Sequence, residues 1–242
     1  MKKILLSMLF LGAALGAASA QVASMDSYLA DIRAEMQKRW PESRTVNLVF
    51  HGHSVPAGYA RTPLVNTLDA YPHRTLVLLK EHYPNAVINV ITTAIGGEQS
   101  EQGAARFKDE VLTHRPDVVF IDYALNDRTI GVERSEKAWR SMIREALAAG
   151  VKVVLLTPTP DLSENILSDQ ARLQAHAAII RRLAAEYHVG LVDSYASFRE
   201  LVQLGAKLPD YMAQVNHPNA RGHAVVAGLI GAWLIERPHP VE

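Results

Sequence analysis

Five short apolar segments recur along the chain, each rich in Val, Ile or Leu. Most are continuous runs rather than alternating patterns, which is typical of parallel strands buried on both faces. They are TVNLVF (45–50), AVINVITTAI (86–95), DVVFIDYAL (117–125), the segment that begins VKVVLL (151–157), and GLVDSY (190–195). These five segments predict five strands.

Helical patterns lie between these strands. They cover residues 25–39 before the first strand, 64–82, 99–114, 133–149 and 168–187 between strands, and 219–236 after the last strand. Alternating strands and helices predict an α/β fold. We therefore expect a three-layer α/β/α sandwich, flavodoxin-like, with a mainly parallel five-stranded sheet, formed as a single domain by residues 21–242.

The first 20 residues predict export rather than a strand or a core helix. A basic start (Lys2 and Lys3) precedes an apolar stretch and the small residues Ala18-Ser19-Ala20, which is the layout of a secretory signal peptide cut after Ala20. We expect a mature protein that begins at or near Gln21, in the periplasm or secreted. N-terminal sequencing of exported material that still began with Met1 would contradict this expectation.

Charge and composition exclude several partners. The 242 residues contain 25 basic and 25 acidic side chains, so no basic excess is available to hold nucleic acid or an anionic lipid surface. No segment after the signal is apolar enough to span a bilayer. The sequence has no cysteine, which excludes disulfides and a lipidated cysteine within these residues.

Polar residues and glycines follow each predicted strand. In a doubly wound sheet, ligands bind beyond the carboxyl ends of the strands. The segments at these ends are HGHS (51–54), GGE (96–98), NDR (126–128) and TPTPD (157–161), and NHPNARGH (216–223) stands near the start of the last helix. One edge of the sheet is therefore the expected site.

Four of these segments resemble the four blocks of the SGNH (GDSL-type) hydrolases, a family of serine esterases and acylhydrolases. FHGHSVPAG is similar to the serine block, TAIGGEQS to the glycine block, ALNDR to the Gly-x-Asn-Asp block and QVNHPNARGH to the Asp-x-x-His block. They occur in the family's order. The resemblance implies the catalytic residues Ser54, Gly97, Asn126 and His217, with no metal and no cofactor.

The chain departs from the family pattern at three positions. His53 replaces the Asp before the nucleophile, Gln214 replaces the Asp three residues before the catalytic His, and Ala124 replaces the Gly of the Asn-Asp block. The change at position 214 is the most serious, because in a triad the carboxylate fixes the tautomer of the imidazole and stabilises its charged form.

The implied residues suit acyl transfer. Ser54 needs a base to take its proton, and His217 has the side chain for that role. The backbone N–H groups of Ser54 and Gly97 and the side-chain amide of Asn126 would donate to the oxyanion. Asn219 suits the N-cap of the last helix.

Three arrangements remain open for the orientation of His217. A backbone carbonyl or the Gln214 side chain accepts the Nδ1 proton and leaves a dyad, Asp210 folds back into the vacant position, or the site is catalytically inactive. We favour the first arrangement.

The remaining polar residues are expected to have accessory roles. Asp127 braces loops, and Arg128 pairs with Asp127 or Glu98 or faces the substrate. His53 hydrogen-bonds a loop or shifts the pKa of His217. The spacing of His51 and His53 also permits a zinc site with His217, Asp127 and His223, although zinc would leave Ser54, Gly97 and Asn126 unexplained.

Three functions follow from these observations. The first is a serine esterase that removes small acyl groups, acetyl among them, from small-molecule or carbohydrate esters. The second is a glycan-binding protein without catalysis on the same scaffold, suggested by Gln214 and His53. The third is a metallohydrolase.

Overall fold

The computed structural model describes residues 21–236. Five strands form a single sheet in the order β2-β1-β3-β4-β5, and all four pairings are parallel. The strands are β1 (Thr45–Gly52), β2 (Val87–Thr92), β3 (Val118–Asp122), β4 (Lys152–Leu156) and β5 (Gly190–Val192). This order, with helices between the strands, is the flavodoxin-like arrangement, so the predicted fold is confirmed. The predicted export signal lies outside the described residues.

Nine α-helices are present among the described residues. They are α1 (Ala30–Gln37), α2 (Ser54–Ala57), α3 (Tyr71–His82), α4 (Ser100–Glu110), α5 (Ala124–Asp127), α6 (Val132–Ala148), α7 (Arg172–Tyr187), α8 (Ser194–Gln203) and α9 (Ala220–Leu234). The six predicted helices correspond to α1, α3, α4, α6, α7 and α9. No helix among residues 21–236 is both long enough and apolar enough to cross a membrane.

Alternate side chains of the central strands fill two cores. In β1, Leu48 and Phe50 face one core and Val49 faces the other, because successive side chains of a strand point to opposite faces. Phe50 stacks on Phe120 of β3, with ring centroids 4.5 Å apart. Helices α1, α3, α8 and α9 contribute to the first core, α4 and α6 to the second, and α7 to both.

The structure differs from the sequence prediction in several places. The strand predicted over 190–195 ends at Val192, and Asp193 then caps α8 by accepting a hydrogen bond from Ala196 N–H. The helix predicted over 64–82 begins only at Tyr71, because residues 59–65 form a hairpin closed by a bridge between Tyr59 and Val65, and Thr67–Asp69 form a separate 3₁₀ turn. A small antiparallel pair, β6 (Met212–Gln214) and β7 (His217–Pro218), precedes α9.

Candidate active site

Ser54 lies at a sharp turn between strand and helix. β1 ends at Gly52, where a Cβ atom would stand 2.4 Å from the carbonyl oxygen of Asp122, so no other residue fits. His53 caps the short helix α2, its Nδ1 accepting a hydrogen bond from Val55 N–H at 3.2 Å. Gly58 ends this helix with φ +95°. The turn therefore fixes the position of Ser54 at the carboxyl end of β1.

His217 reaches Ser54 from the opposite end of the chain. The distance between Ser54 Oγ and His217 Nε2 is 2.9 Å, although the residues are 163 positions apart. His217 is held by the β6–β7 pair and by α9, whose N-cap is Asn219, as predicted. Both side chains are buried. The distance is that of a hydrogen bond, and it is within the reach that a base needs to take the proton of a serine hydroxyl.

Two groups contact the other ring nitrogen of His217. The carbonyl oxygen of Ala60 is 3.1 Å from Nδ1, and the amide nitrogen of Gln214 is 2.7 Å from it. Gln214 Oε1 accepts a hydrogen bond from the backbone N–H of Thr62 at 3.1 Å. That donor fixes the oxygen towards Thr62 and so directs the amide NH₂ towards Nδ1.

These two contacts favour opposite tautomers. The Ala60 carbonyl can only accept, so it stabilises the form with a proton on Nδ1 and a lone pair on Nε2 facing Ser54. The Gln214 amide nitrogen can only donate, so it stabilises the form whose Nε2 carries the proton. Only the first form can take a proton from Ser54.

Asp210 does not replace the missing carboxylate. It lies in a single 3₁₀ turn before β6, is exposed, and its backbone carbonyl, not its carboxylate, accepts a hydrogen bond from Asn219 Nδ2. The arrangement in which Asp210 folds back onto His217 is therefore absent from the structure.

Burial and a neighbouring histidine affect the charge of His217. Burial, and secondarily the proximity of His53, lower its pKa below the usual value of 6.5, and the hydrogen bond to Ala60 opposes them. His53 Nε2 lies 3.4 Å from Asp122 Oδ1, and the other carboxylate oxygen of Asp122 accepts from the Tyr71 hydroxyl at 2.9 Å. His53 thus lies between the turn that carries Ser54 and a buried carboxylate on β3.

The three expected oxyanion donors follow three neighbouring strands. Ser54, Gly97 and Asn126 follow β1, β2 and β3, which are adjacent in the sheet. Gly97 has φ +81°, a backbone conformation that favours glycine, and is exposed. Asn126 Nδ2 donates one hydrogen to the Glu98 carbonyl at 2.8 Å, which leaves its second hydrogen for a ligand.

Asp127 and Arg128 are structural. The Asp127 carboxylate accepts three hydrogen bonds, from Ser100 N–H, Ser135 Oγ and Trp139 Nε1, at 2.6 to 2.8 Å, and so braces α4 and α6. Arg128 binds Asp161 at 2.6 Å and Glu164 at 2.7 Å. Arg128 therefore pairs with neither Asp127 nor Glu98, the two partners predicted for it, because the loop after β4 supplies two carboxylates.

The hairpin over residues 59–65 contributes groups that sequence reasoning missed. Ala60 supplies the carbonyl that faces His217, and Thr62 holds Gln214. The centroid of the Tyr59 ring lies 6.0 Å from that of the His217 ring. A Cβ atom on Gly96 would lie only 2.7 Å from the Tyr59 side chain. A backbone carbonyl leaves no trace in a side-chain pattern, although the aromatic residue directly after Gly58 is a visible signal.

The residues considered for zinc are held in separate contacts. The Asp127 carboxylate is fully engaged, and His223 Nδ1 accepts from Tyr71 N–H at 3.2 Å. Within residues 21–236, no group of three or more histidine or acidic side chains is arranged to hold a metal ion.

Comparison with known proteins identifies a family and several relatives. Residues 50–225 match the family model of the GDSL-like lipase/acylhydrolase family. The chain is 25% identical over 200 residues to an acetylxylan esterase of Geobacillus stearothermophilus, covering 74% of this chain and 90% of the relative. It is also 25% identical over 199 residues to thioesterase 1/protease 1/lysophospholipase L1 of Escherichia coli K12, covering 80% and 84%.

Solved structures share the fold. The Geobacillus stearothermophilus acetylxylan esterase Axe2 superimposes with a TM-score of 0.68 at 22% identity, covering 78% of this chain and 94% of that chain. A two-domain esterase active on acetylated mannans superimposes with a TM-score of 0.70 at 22% identity, over 89% of this chain but only 54% of the larger protein. The chain therefore belongs to the GDSL-like lipase/acylhydrolase family of carboxylic ester hydrolases.

Proposed function

We propose that this protein is an exported serine esterase that removes small acyl groups, acetyl among them, from carbohydrates. The observation that supports a serine mechanism most directly is the 2.9 Å contact between Ser54 Oγ and His217 Nε2. The acetylxylan esterase among its relatives supports a carbohydrate acetyl ester.

Ser54 would attack the ester carbonyl while His217 Nε2 takes its proton. The negative charge on the carbonyl oxygen would be stabilised by the N–H groups of Ser54 and Gly97 and by the free amide hydrogen of Asn126, each worth about 3 kcal/mol in comparable sites. His217 would return the proton to the departing sugar oxygen. A water activated by the same histidine would then hydrolyse the acyl-enzyme.

The Ala60 carbonyl would take over one of the two roles of the triad carboxylate. As an acceptor for Nδ1–H, it holds His217 in the productive tautomer. As a neutral group, it stabilises the imidazolium less than a carboxylate does. We therefore propose a Ser54–His217 dyad assisted by a main-chain oxygen.

A substrate panel tests the proposed activity. Purified protein would be assayed with p-nitrophenyl esters from acetate to octanoate and with acetylated xylan and mannan oligosaccharides. The proposal expects the highest kcat/KM with acetyl esters and acetate release from at least one oligosaccharide. A preference for octanoate with no release from sugars would contradict it and favour the lipid-directed chemistry named for the Escherichia coli relative.

A glycan-binding protein without catalysis remains the second candidate, because Gln214 stands where the family has a carboxylate. Glycan binding without ester turnover, and no reaction of Ser54 with a fluorophosphonate, would favour it. Loss of turnover on chelation would instead favour the metallohydrolase.

Replacing Gln214 by glutamate is expected to raise kcat about tenfold. The Gln214 amide nitrogen lies 2.7 Å from Nδ1 of His217. A carboxylate oxygen at that position would accept a hydrogen bond from Nδ1–H, and Thr62 N–H would still donate to the other carboxylate oxygen. The productive tautomer would then be favoured by both neighbours of Nδ1. Steady-state kinetics on p-nitrophenyl acetate would measure the change.

The pH profile of the same variant adds a second readout. In the wild type the pKa of His217 lies below 6.5, so kcat/KM should decline only as the pH falls through that lowered value. The added carboxylate favours the imidazolium, so the acidic limb of Gln214→Glu should move to higher pH. Asp210→Asn is the control and should change neither kcat nor the limb. A thousandfold loss in that control would identify Asp210 as the acid instead.

A further inference from the structure

A buried ion pair lies next to the turn that contains Gly97. Its two side chains are not among the groups that the proposed mechanism uses. Arg106 of α4 binds Glu98 through two parallel hydrogen bonds, from Nε to Oε1 at 2.8 Å and from Nη2 to Oε2 at 2.5 Å. The side chains are only 12% and 6% exposed. Burial opposes the charge on Arg106, but the hydrogen bonds to Glu98, together with the nearby Tyr123 and Glu110, raise the pKa of Arg106 on balance. The two side chains therefore form a buried, two-point pair.

Tyr123 and His51 also belong to this cluster. We term the four residues together the Glu98 clamp: Glu98, Arg106, Tyr123 and His51. The Tyr123 hydroxyl donates to Glu98 Oε2 at 2.7 Å and lies 3.1 Å from His51 Nε2. His51 Nε2–H donates to the Gly103 carbonyl at 3.2 Å. Burial and the charge of Arg106 lower the pKa of His51 to about 4, so the imidazole is neutral near pH 7. A fully hydrogen-bonded buried network of this kind is rigid.

The backbone of Glu98 connects this clamp to two of the oxyanion donors. Its carbonyl accepts a hydrogen bond from Asn126 Nδ2 at 2.8 Å. Its N–H donates to the Ile95 carbonyl at 3.2 Å, which closes the turn containing Gly97. Arg106 Nη2 also donates to the Thr93 carbonyl at 2.5 Å, so the same guanidinium holds both ends of segment 93–98.

We propose that Glu98 and Arg106 are positioning residues for the oxyanion hole, a role that rests on the proposed esterase function of the site. Neither side chain needs to touch the substrate. The clamp fixes the Glu98 backbone, and that backbone sets the direction of the Gly97 N–H and of the Asn126 amide. Oxyanion donors act only when they are held within hydrogen-bond distance of the developing charge, and a displacement of about 1 Å costs roughly a hundredfold in rate.

The variant Glu98→Gln tests this role. Glutamine keeps the volume of the side chain, but in either orientation its amide NH₂ faces a donor of Arg106, so the clamp is weakened. We expect kcat to fall by about 10- to 100-fold with KM within about twofold of wild type, because the ester ground state makes little use of the oxyanion donors. Glu110→Gln is the matched control: Glu110 binds Arg106 at 3.1 Å from an exposed position and should leave kcat unchanged.

A thionoester separates positioning from a general loss of structure. Sulfur is a weaker hydrogen-bond acceptor than oxygen, so the ratio of kcat/KM for an oxygen ester to that for its thionoester reports the oxyanion hole. The ratio should fall in Glu98→Gln. It should also fall in Tyr123→Phe, which removes a single hydroxyl and replaces Glu98→Gln as the test variant if that variant does not fold. If a folded variant lost activity equally on the oxygen ester and the thionoester, the ratio of their kcat/KM values would be unchanged, and the proposal would be overturned. If Ser54→Ala retained activity in the same assay, the esterase mechanism itself would be wrong.

Discussion

Ser54→Ala is expected to lower kcat by about 10⁶-fold, since removing the nucleophile of a serine hydrolase leaves only binding and oxyanion stabilisation. Ser54 is buried beside His217 and its backbone begins α2. Alanine removes only the hydroxyl and leaves the His53 cap, which uses Val55 N–H, intact. The melting temperature should therefore change little. Ester hydrolysis by purified variant and wild type measures the effect.

A matched serine variant controls for nonspecific loss. Ser135 donates to Asp127 from α6 and lies outside the catalytic contacts, so Ser135→Ala should reduce stability while retaining most of the turnover per folded molecule. If Ser54→Ala kept more than about a tenth of wild-type kcat, a loss of only about 1.4 kcal/mol, Ser54 would not be the nucleophile.

His217→Ala is expected to lower kcat by about 10⁵-fold or more. The imidazole is the group within hydrogen-bond reach of Ser54 Oγ, at 2.9 Å, and without it the hydroxyl has no base to take its proton. Its removal also frees the Ala60 carbonyl and the Gln214 amide, both of which can be satisfied by water. Single-turnover assays on p-nitrophenyl acetate would measure the loss of acylation.

The double variant distinguishes a catalytic pair from two independent contributions. Residues that act as one unit are strongly non-additive, so Ser54→Ala with His217→Ala should be no slower than the slower single variant. Multiplication of the two losses would contradict a shared proton-transfer step.

The sequence predicted the sheet well, since continuous apolar runs such as 45–50 and 117–125 are buried on both faces and need no tertiary information to be recognised. The short β5 and the start of α8 were predicted less well. Residues 190–195 were read as one strand, but Asp193 caps α8 and its carboxylate also accepts hydrogen bonds from Thr157 and Arg181, so the strand ends before it.

The candidate site was predictable in the positions of its main residues, whereas the residue that supplies the carbonyl facing His217 was not. Ser54, Gly97, Asn126 and His217 follow predicted strands or precede a predicted helix, so their common location followed from topology. The Ala60 carbonyl is a main-chain group on the hairpin over residues 59–65. The sequence pattern predicted a helix that began within this hairpin, at residue 64. The contacts of Arg128 with Asp161 and Glu164 depend on the path of a long loop that the sequence does not encode locally.

Covalent labelling with a fluorophosphonate tests the central claim most directly, because the reagent reacts only with a serine activated by its base. Peptide mass spectrometry of labelled wild-type protein should locate one adduct, on Ser54, with complete loss of ester hydrolysis, and His217→Ala should prevent the labelling. A protein that hydrolyses esters fully while Ser54 remains unlabelled, or that is inactivated by an adduct elsewhere, would contradict the Ser54–His217 mechanism.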